Sequence, residues 1–287
     1  MFTNFQEQRI KTSGTEINVR VGGAGPPLLM LHGYPQTHVI WHKIAPILAE
    51  YFTVVLPDLR GYGDSGKPES DASHTPYSKR AMAQDMVEVM AALGFDHFKL
   101  VGHDRGARVA HRLARDHAAR VEKLAVLDIA PTLHMYENTD MRFASAYYHW
   151  FFLIQPKGFP EKLISDDPAF YLRTKLGAWG RTGDAITPEA HAEYLRCFEN
   201  PETIHATCED YRASAGIDLA HDRASTEKLA MPLLALWGAA GFVGSAYDVL
   251  ATWREVAQDV RGYAVPGGHF LPEEAPKETL AALLEFL

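Results

Sequence analysis

The stretch Phe98, Lys99, Leu100, Val101, Gly102, His103, Asp104, Arg105, Gly106, running on into Ala107 to Ala114, decides the fold. It opens as a short apolar run of the kind that makes a buried strand and continues with helical patterning. Between the two stands G-x-D-x-G. A turn that sharp from strand to helix brings backbones too close for side chains at the flanking positions, which glycine alone tolerates. The central residue, Asp104, is presented at a helix N-terminus, where free N–H groups and the helix dipole favour an ionised carboxylate. Asp104 reads as a nucleophile; the plainer alternative is a residue that only caps the helix.

Working outward, Phe5 to Lys11 and Glu16 to Val21 alternate in polarity about Ser13 and Gly14 and read as a hairpin. Short aliphatic runs then alternate with helical patterns: Leu28 to Leu31, Phe52 to Leu56, Phe98 to Val101, Leu124 to Leu127, Leu233 to Trp237 and Val260 to Val265. Continuous apolar strands of that length suit a parallel sheet covered on both faces. The expected fold is α/β, a mostly parallel eight-stranded sheet. From Asp128 to Leu233, about a hundred residues carry no strand signal, far beyond an ordinary connection. They are expected to form a helical cap over residues 136–220, with helices Met141 to Ile154, Pro188 to Phe198 and Pro201 to Ala215, between core segments 1–135 and 221–287. The insertion leaves from the carboxyl end of a parallel strand and so overhangs the edge where such sheets bind ligands.

Composition excludes several classes of function. The 287 residues are 47% hydrophobic and 22% charged, enough for a large core, and the net charge of -8 opposes nucleic acid and anionic membranes. No apolar run reaches the roughly 20 residues of a membrane span, and a cytoplasmic location is expected. Cys197 and Cys208 have neither disulfide-framework nor metal-ligand spacing. No cofactor or metal is expected. An acidic substrate would need a local cluster of positive charge.

A carboxylate nucleophile narrows the chemistry. On a saturated carbon a serine would leave a stable ether, whereas a carboxylate leaves an ester that water can cleave, which points to alkyl halides or epoxides. Ester hydrolysis needs a base. His269, in Val265, Pro266, Gly267, Gly268, His269, Phe270, follows the last strand and precedes the closing helix, the place for it. His32, Gly33, Tyr34, Pro35 follows the first central strand, where the N–H groups of Tyr34 and Arg105 are placed to hold an oxyanion. The loop from Asp58 to Gly66 reads as architecture.

Taken together, the HGYP turn, the RGYGDSG loop, the GHDRG elbow and the GGHFLPEEAP segment resemble the α/β-hydrolase superfamily in its epoxide hydrolase and dehalogenase branch, over essentially the whole length. Within that branch the chain resembles the fluoroacetate dehalogenases, a haloacetate dehalogenase subtype. Epoxide hydrolases commonly have Trp after the nucleophile; here stands Arg105, with Arg108 three residues on. The two can share one helix face and clamp a substrate carboxylate, unless Arg108 begins an exposed basic stripe through Arg112 and Arg115. Relatives often carry the acid that orients the base after the penultimate strand. Here Trp237 to Val243 holds no carboxylate, so Asp128, at the tip of the preceding strand, takes that part, its alternative being a strand-end acceptor. The resemblance further implies that His149, Trp150 and Tyr211 bind the departing halide and that the protein is a homodimer. Tyr34 departs from the Phe frequent among relatives. The expected partner is a small anionic haloacid, and the expected reaction turns haloacetate, preferably fluoroacetate, into glycolate. Epoxide hydrolysis through the same Asp104, and a ligand receptor on a hydrolase scaffold, are the competing readings.

Overall fold

The computed structural model describes residues 1–287. Eight strands lie in one sheet: β1 (Phe5–Lys11), β2 (Glu16–Gly22), β3 (Pro27–Leu31), β4 (Thr53–Pro57), β5 (Phe98–His103), β6 (Val121–Leu127), β7 (Leu233–Gly238) and β8 (Val260–Val265). Their order is β1-β2-β4-β3-β5-β6-β7-β8. The first two pairings, β1 with β2 and β2 with β4, are antiparallel, and the rest are parallel. The apolar run of β3 is unbroken because both faces are covered. Leu29 and Leu31 belong to the core on one side, and Leu28 and Met30 to the core on the other.

The helices that concern the site are α1 (Lys79–Ala92), α2 (Asp104–Asp116), α3 (Met141–Ala146), α4 (His149–Phe152), α5 (Phe159–Asp166), α6 (Pro168–Trp179), α7 (Pro188–Phe198), α8 (Pro201–Ala215) and α9 (Pro276–Phe286). Helices α3 to α8 all fall between β6 and β7. The single helix expected over Met141 to Ile154 is two pieces. The chain leaves helical geometry at Tyr147 (φ -110°, ψ 33°), whose ring packs 5.4 Å from Phe143 and 4.8 Å from Phe242. That break turns His149 and Trp150 inward, where both are buried. Helices α5 and α6, which the sequence expectations did not include, also begin with first-turn prolines, Pro160 and Pro168. No helix is long and apolar enough to cross a membrane.

Chain order reverses direction across the sheet between β3 and β5, so their carboxyl ends part and leave a crevice. The turn after β3 and the turn after β5 face each other there.

Candidate active site

Asp104 sits in the left-handed region, at φ +47°, on the strand-to-helix turn. An L residue held there stores strain that the surrounding packing must impose. The glycines make room for it. A Cβ on Gly102 would come 2.5 Å from Ala107 Cα, one on Gly106 2.2 Å from the His32 carbonyl, and one on Gly33 2.4 Å from Asp104 Cβ. Asp104 Oδ1 accepts the Tyr34 N–H at 2.8 Å, while Oδ2 stands 3.8 Å from His269 Nε2. One oxygen is thus tied down and the other faces open space. Burial disfavours the anion, but the charges of His269, Arg105 and Arg108 outweigh it and hold the carboxyl below its usual range.

His269 Nδ1 lies 2.6 Å from Asp128 Oδ2. Asp128 also occupies the left-handed region, at φ +52°, and its other oxygen accepts the Gly238 N–H at 3.0 Å. It therefore reaches sideways from the end of β6 to the end of β7. A Cβ on Gly241 would lie 3.4 Å from Asp128 Oδ1, so the turn after β7 is kept bare where this carboxylate comes across. Burial works against the imidazolium, yet the Asp128 hydrogen bond and charge raise the His269 pKa above the ordinary histidine value. His103 and His32, pulled by burial to about 3 and about 4, are neutral scaffold. His103 Nε2 meets the His269 carbonyl at 2.8 Å, and His32 Nε2 accepts the Leu59 N–H at 3.0 Å.

The two arginines after Asp104 are both buried, but they are not equivalent. Arg105 grips Asp210 through Nε at 2.9 Å and Nη2 at 2.7 Å, and Nη2 also reaches Ser214 Oγ at 2.5 Å. Asp210 is shared with the Lys79 ammonium and with the Tyr62 hydroxyl at 2.6 Å. Only Nη1 of Arg105 has no partner. Arg108 meets only neutral groups: the Ala130 carbonyl at 3.1 Å, Thr132 Oγ1 at 2.9 Å, Met135 Sδ at 3.4 Å and the Trp150 ring at 4.7 Å. Its Nε is unpaired, and burial and Arg105 lower its pKa. The exposed basic stripe is absent as well, since Arg112 is buried and paired with Asp222 and Asp116.

Three further buried donors have no acceptor: His149 Nδ1, Trp150 Nε1 and the Tyr211 hydroxyl. The His149 and Tyr211 rings lie 5.6 Å apart, Tyr34 is 5.3 Å from Tyr211, and the Arg105 guanidinium stacks 4.0 Å over the Tyr211 ring. Burial and surrounding cations keep His149 neutral, well below its usual pKa. Leaving one buried donor unmet costs about 1–3 kcal/mol, so a cluster of them marks a place for an acceptor. Trp179, not singled out from sequence, completes the wall, with its ring 4.6 Å from His149 and 5.6 Å from His269. Its signal was faint, a lone Trp in Gly177, Ala178, Trp179, Gly180 with no chemistry of its own.

Two groups have metal-like spacing, Asp64 with Glu193 and Cys197, and Glu161 with His205 and Glu209. Arg196 bridges Asp64 and Glu193, and Arg212 bridges Glu161 and Glu209, so a guanidinium already supplies the cation in each. Cys197 and Cys208 are both free and buried.

Residues 26–276 match the model of the alpha/beta hydrolase fold family. The chain is 44% identical to a fluoroacetate dehalogenase of Burkholderia sp over 100% of its own length and 95% of that protein's. It is 36% identical to a soluble epoxide hydrolase of Corynebacterium sp. (strain C12), covering 100% and 98% of the two chains. Among solved structures, a protein from Nostoc sp PCC 7120 described as an alpha/beta hydrolase superposes with a TM-score of 0.99 at 61% identity, over 100% and 99% of the two chains.

Proposed function

Since the chain belongs to the α/β-hydrolase family and is an enzyme, we propose that it hydrolyses the carbon–halogen bond of a short 2-haloacid, fluoroacetate foremost, through an ester on Asp104. One observation carries this reading: two kinds of buried donor without an acceptor lie about Asp104. Arg108, joined by Nη1 of Arg105, offers a cationic fork suited to a carboxylate. His149, Trp150 and Tyr211 offer neutral N–H and O–H groups suited to an emerging halide. A 2-haloacid carries both acceptors, one carbon apart.

In the first step Asp104 Oδ2 attacks the carbon that bears the halogen, and the C–X electron pair leaves with the halide. The Arg108 charge offsets the repulsion between nucleophile and acid, and the three donors stabilise a leaving group that water solvates strongly. In the second step His269 takes a proton from water, and the hydroxide adds to the ester carbonyl carbon. The carbonyl oxygen is Oδ1, already against the Tyr34 N–H, with the Arg105 N–H at the opening turn of α2 as the second donor. Asp128 holds the imidazole by Nδ1 and balances the imidazolium. As the intermediate collapses, His269 returns its proton to the departing alkoxide oxygen, which releases a 2-hydroxyacid, glycolate from fluoroacetate, and restores the carboxylate.

A fluoride electrode with fluoroacetate tests the overall reaction: release is expected, and release no greater than that of Asp104→Asn ends the proposal. A single turnover in oxygen-18 water should place label in the Asp104 side chain, which only the ester route does. The epoxide reading draws on the Tyr211 hydroxyl and on the name of the Corynebacterium relative. It predicts turnover of styrene oxide that survives Arg108→Ala, whereas a buried cation beside the nucleophile is unsuited to a neutral epoxide.

A further inference from the structure

Lys175 is a buried cation that the reaction above does not use. It lies on α6, one turn before Trp179, and is only 2% exposed. Its ammonium forms no ion pair and no hydrogen bond with the protein. It meets aromatic faces instead, with Nζ 3.6 Å from the Tyr148 ring centre, 5.3 Å from Tyr171 and 5.5 Å from Trp179. Ring faces offset part of the cost of taking an ammonium out of water, but they supply no acceptor for its N–H groups. Burial accordingly lowers its pKa to about 8.

The same ammonium lines a cavity of about 400 Å³. Tyr148, Trp179, Arg181, Asp128 and His269 share its wall. Arg181 is in no ion pair; its Nε donates weakly to the Ala240 carbonyl at 3.3 Å. Asp128, the one carboxylate on the wall, is already engaged by His269 and the Gly238 N–H. The space therefore has two cations and no uncommitted anion. Trp179 separates it from His149, so the cavity adjoins the cluster of unmet donors without being part of it.

We propose that this cavity is a waiting site for a small monoanion, a carboxylate or a halide, held by Lys175 with Arg181 across from it, on the path between solvent and Asp104. That the anion is an arriving haloacid or a departing halide rests on the reaction proposed above; the cations and the space do not. A chain with a net charge of -8 repels such ions at long range, and a local cation raises their concentration where the path narrows.

The test uses Lys175→Met, which keeps an apolar stem against the rings, and Lys175→Arg, which keeps the charge. Bromide is titrated at constant ionic strength against tryptophan fluorescence, Trp179 being a wall of the cavity. Wild type and Lys175→Arg are expected to show a saturable quenching component that Lys175→Met lacks or binds about tenfold more weakly. A second component, from the neutral donors, should remain in Lys175→Met and disappear in Tyr211→Phe. In turnover, Lys175→Met should raise the KM for fluoroacetate about tenfold with a smaller change in kcat, and Lys175→Arg should restore most of it. The proposal is overturned if bromide quenching is the same in all three proteins. It is equally overturned if Lys175→Met lowers kcat and the melting temperature together without rescue by arginine, the signature of a strut between α6 and Tyr148. Should no fluoride be released while the Lys175-dependent bromide component persists, the reaction fails and the anion site stands.

Discussion

Replacing Arg108 by methionine should make the empty protein more stable and the enzyme far worse. The guanidinium is 3% exposed and touches two neutral oxygens, a thioether and an indole face; no carboxylate is in contact with it, and the charge of Asp104 offsets only part of the cost of burial. A buried charge whose counter-ion does not touch it is a standing cost, and exchange for an apolar group of similar volume has raised stability by about 1–4 kcal/mol where an ionic group was poorly compensated. Two neutral hydrogen bonds, at about 1 kcal/mol each, are lost in return, so the net gain is at most about 2 kcal/mol. At this chain length 1 kcal/mol corresponds to about 2–4 °C in melting temperature. Binding moves the other way. A bidentate bond to a substrate carboxylate joins two charge-assisted contacts of about 1.5–3 kcal/mol each, so kcat/KM for fluoroacetate should fall by about 10² to 10⁴. Arg108→Lys keeps the charge but not the fork and should lie between. Calorimetry of the ligand-free proteins and a fluoride electrode read the two arms. An Arg108→Met enzyme that retains kcat/KM within a few-fold, or that loses stability as steeply as activity, would show the guanidinium to be structural and sink the carboxylate assignment.

Other expectations follow from the same coordinates. Because Asp128 raises the His269 pKa, the acid limb of kcat/KM should lie above 6.5, activity falling as the imidazole gains its proton, and Asp128→Asn should move the limb downward while lowering kcat by several orders of magnitude. Asp210→Asn frees the Arg105 fork and leaves Lys79 only the more distant Asp218, at 3.8 Å, so it should raise KM and cost up to about 3–5 kcal/mol of stability by chemical denaturation; little change in either would mean that Arg105 is held by other contacts. Glu273 is buried, bonded to Gln36 at 2.6 Å and Tyr194 at 3.0 Å, and desolvation raises its pKa to about 8. Its folded pKa lies above the unfolded value, so the stability it contributes is complete below about pH 4 and is lost as pH rises toward 8. Glu273→Gln should therefore flatten that decline in a series of melting temperatures, and an unchanged slope refutes it. Gly33→Ala would set a methyl 2.6 Å from Asp104 Oδ1, and should cut activity at least about a hundredfold for a stability loss of about 1–3 kcal/mol.

Legibility in the sequence followed the range of the interactions. The strands were readable because burial on both faces leaves an unbroken apolar run, as in Leu28 to Leu31. The placement of Asp104 on the turn was readable because a strand, a glycine-flanked turn and a helix are all local, and that of His269 because it follows the last strand of such a sheet. The break at Tyr147 was not, since helical periodicity runs through it and only the packing of Tyr147 on Phe242, far along the chain, opposes it. Nor could spacing separate Arg105 from Arg108. They share a helix face, but Asp210 arrives from α8 to pair with one, while the other meets only neutral groups. Trp179 and Lys175 were silent because neither residue type declares chemistry by itself. The sequence alone thus determined the sheet and the turn, which depend on neighbours a few residues apart. Tertiary structure decided which charges are paired and which are left open, because that depends on groups about a hundred residues away meeting in a space without water.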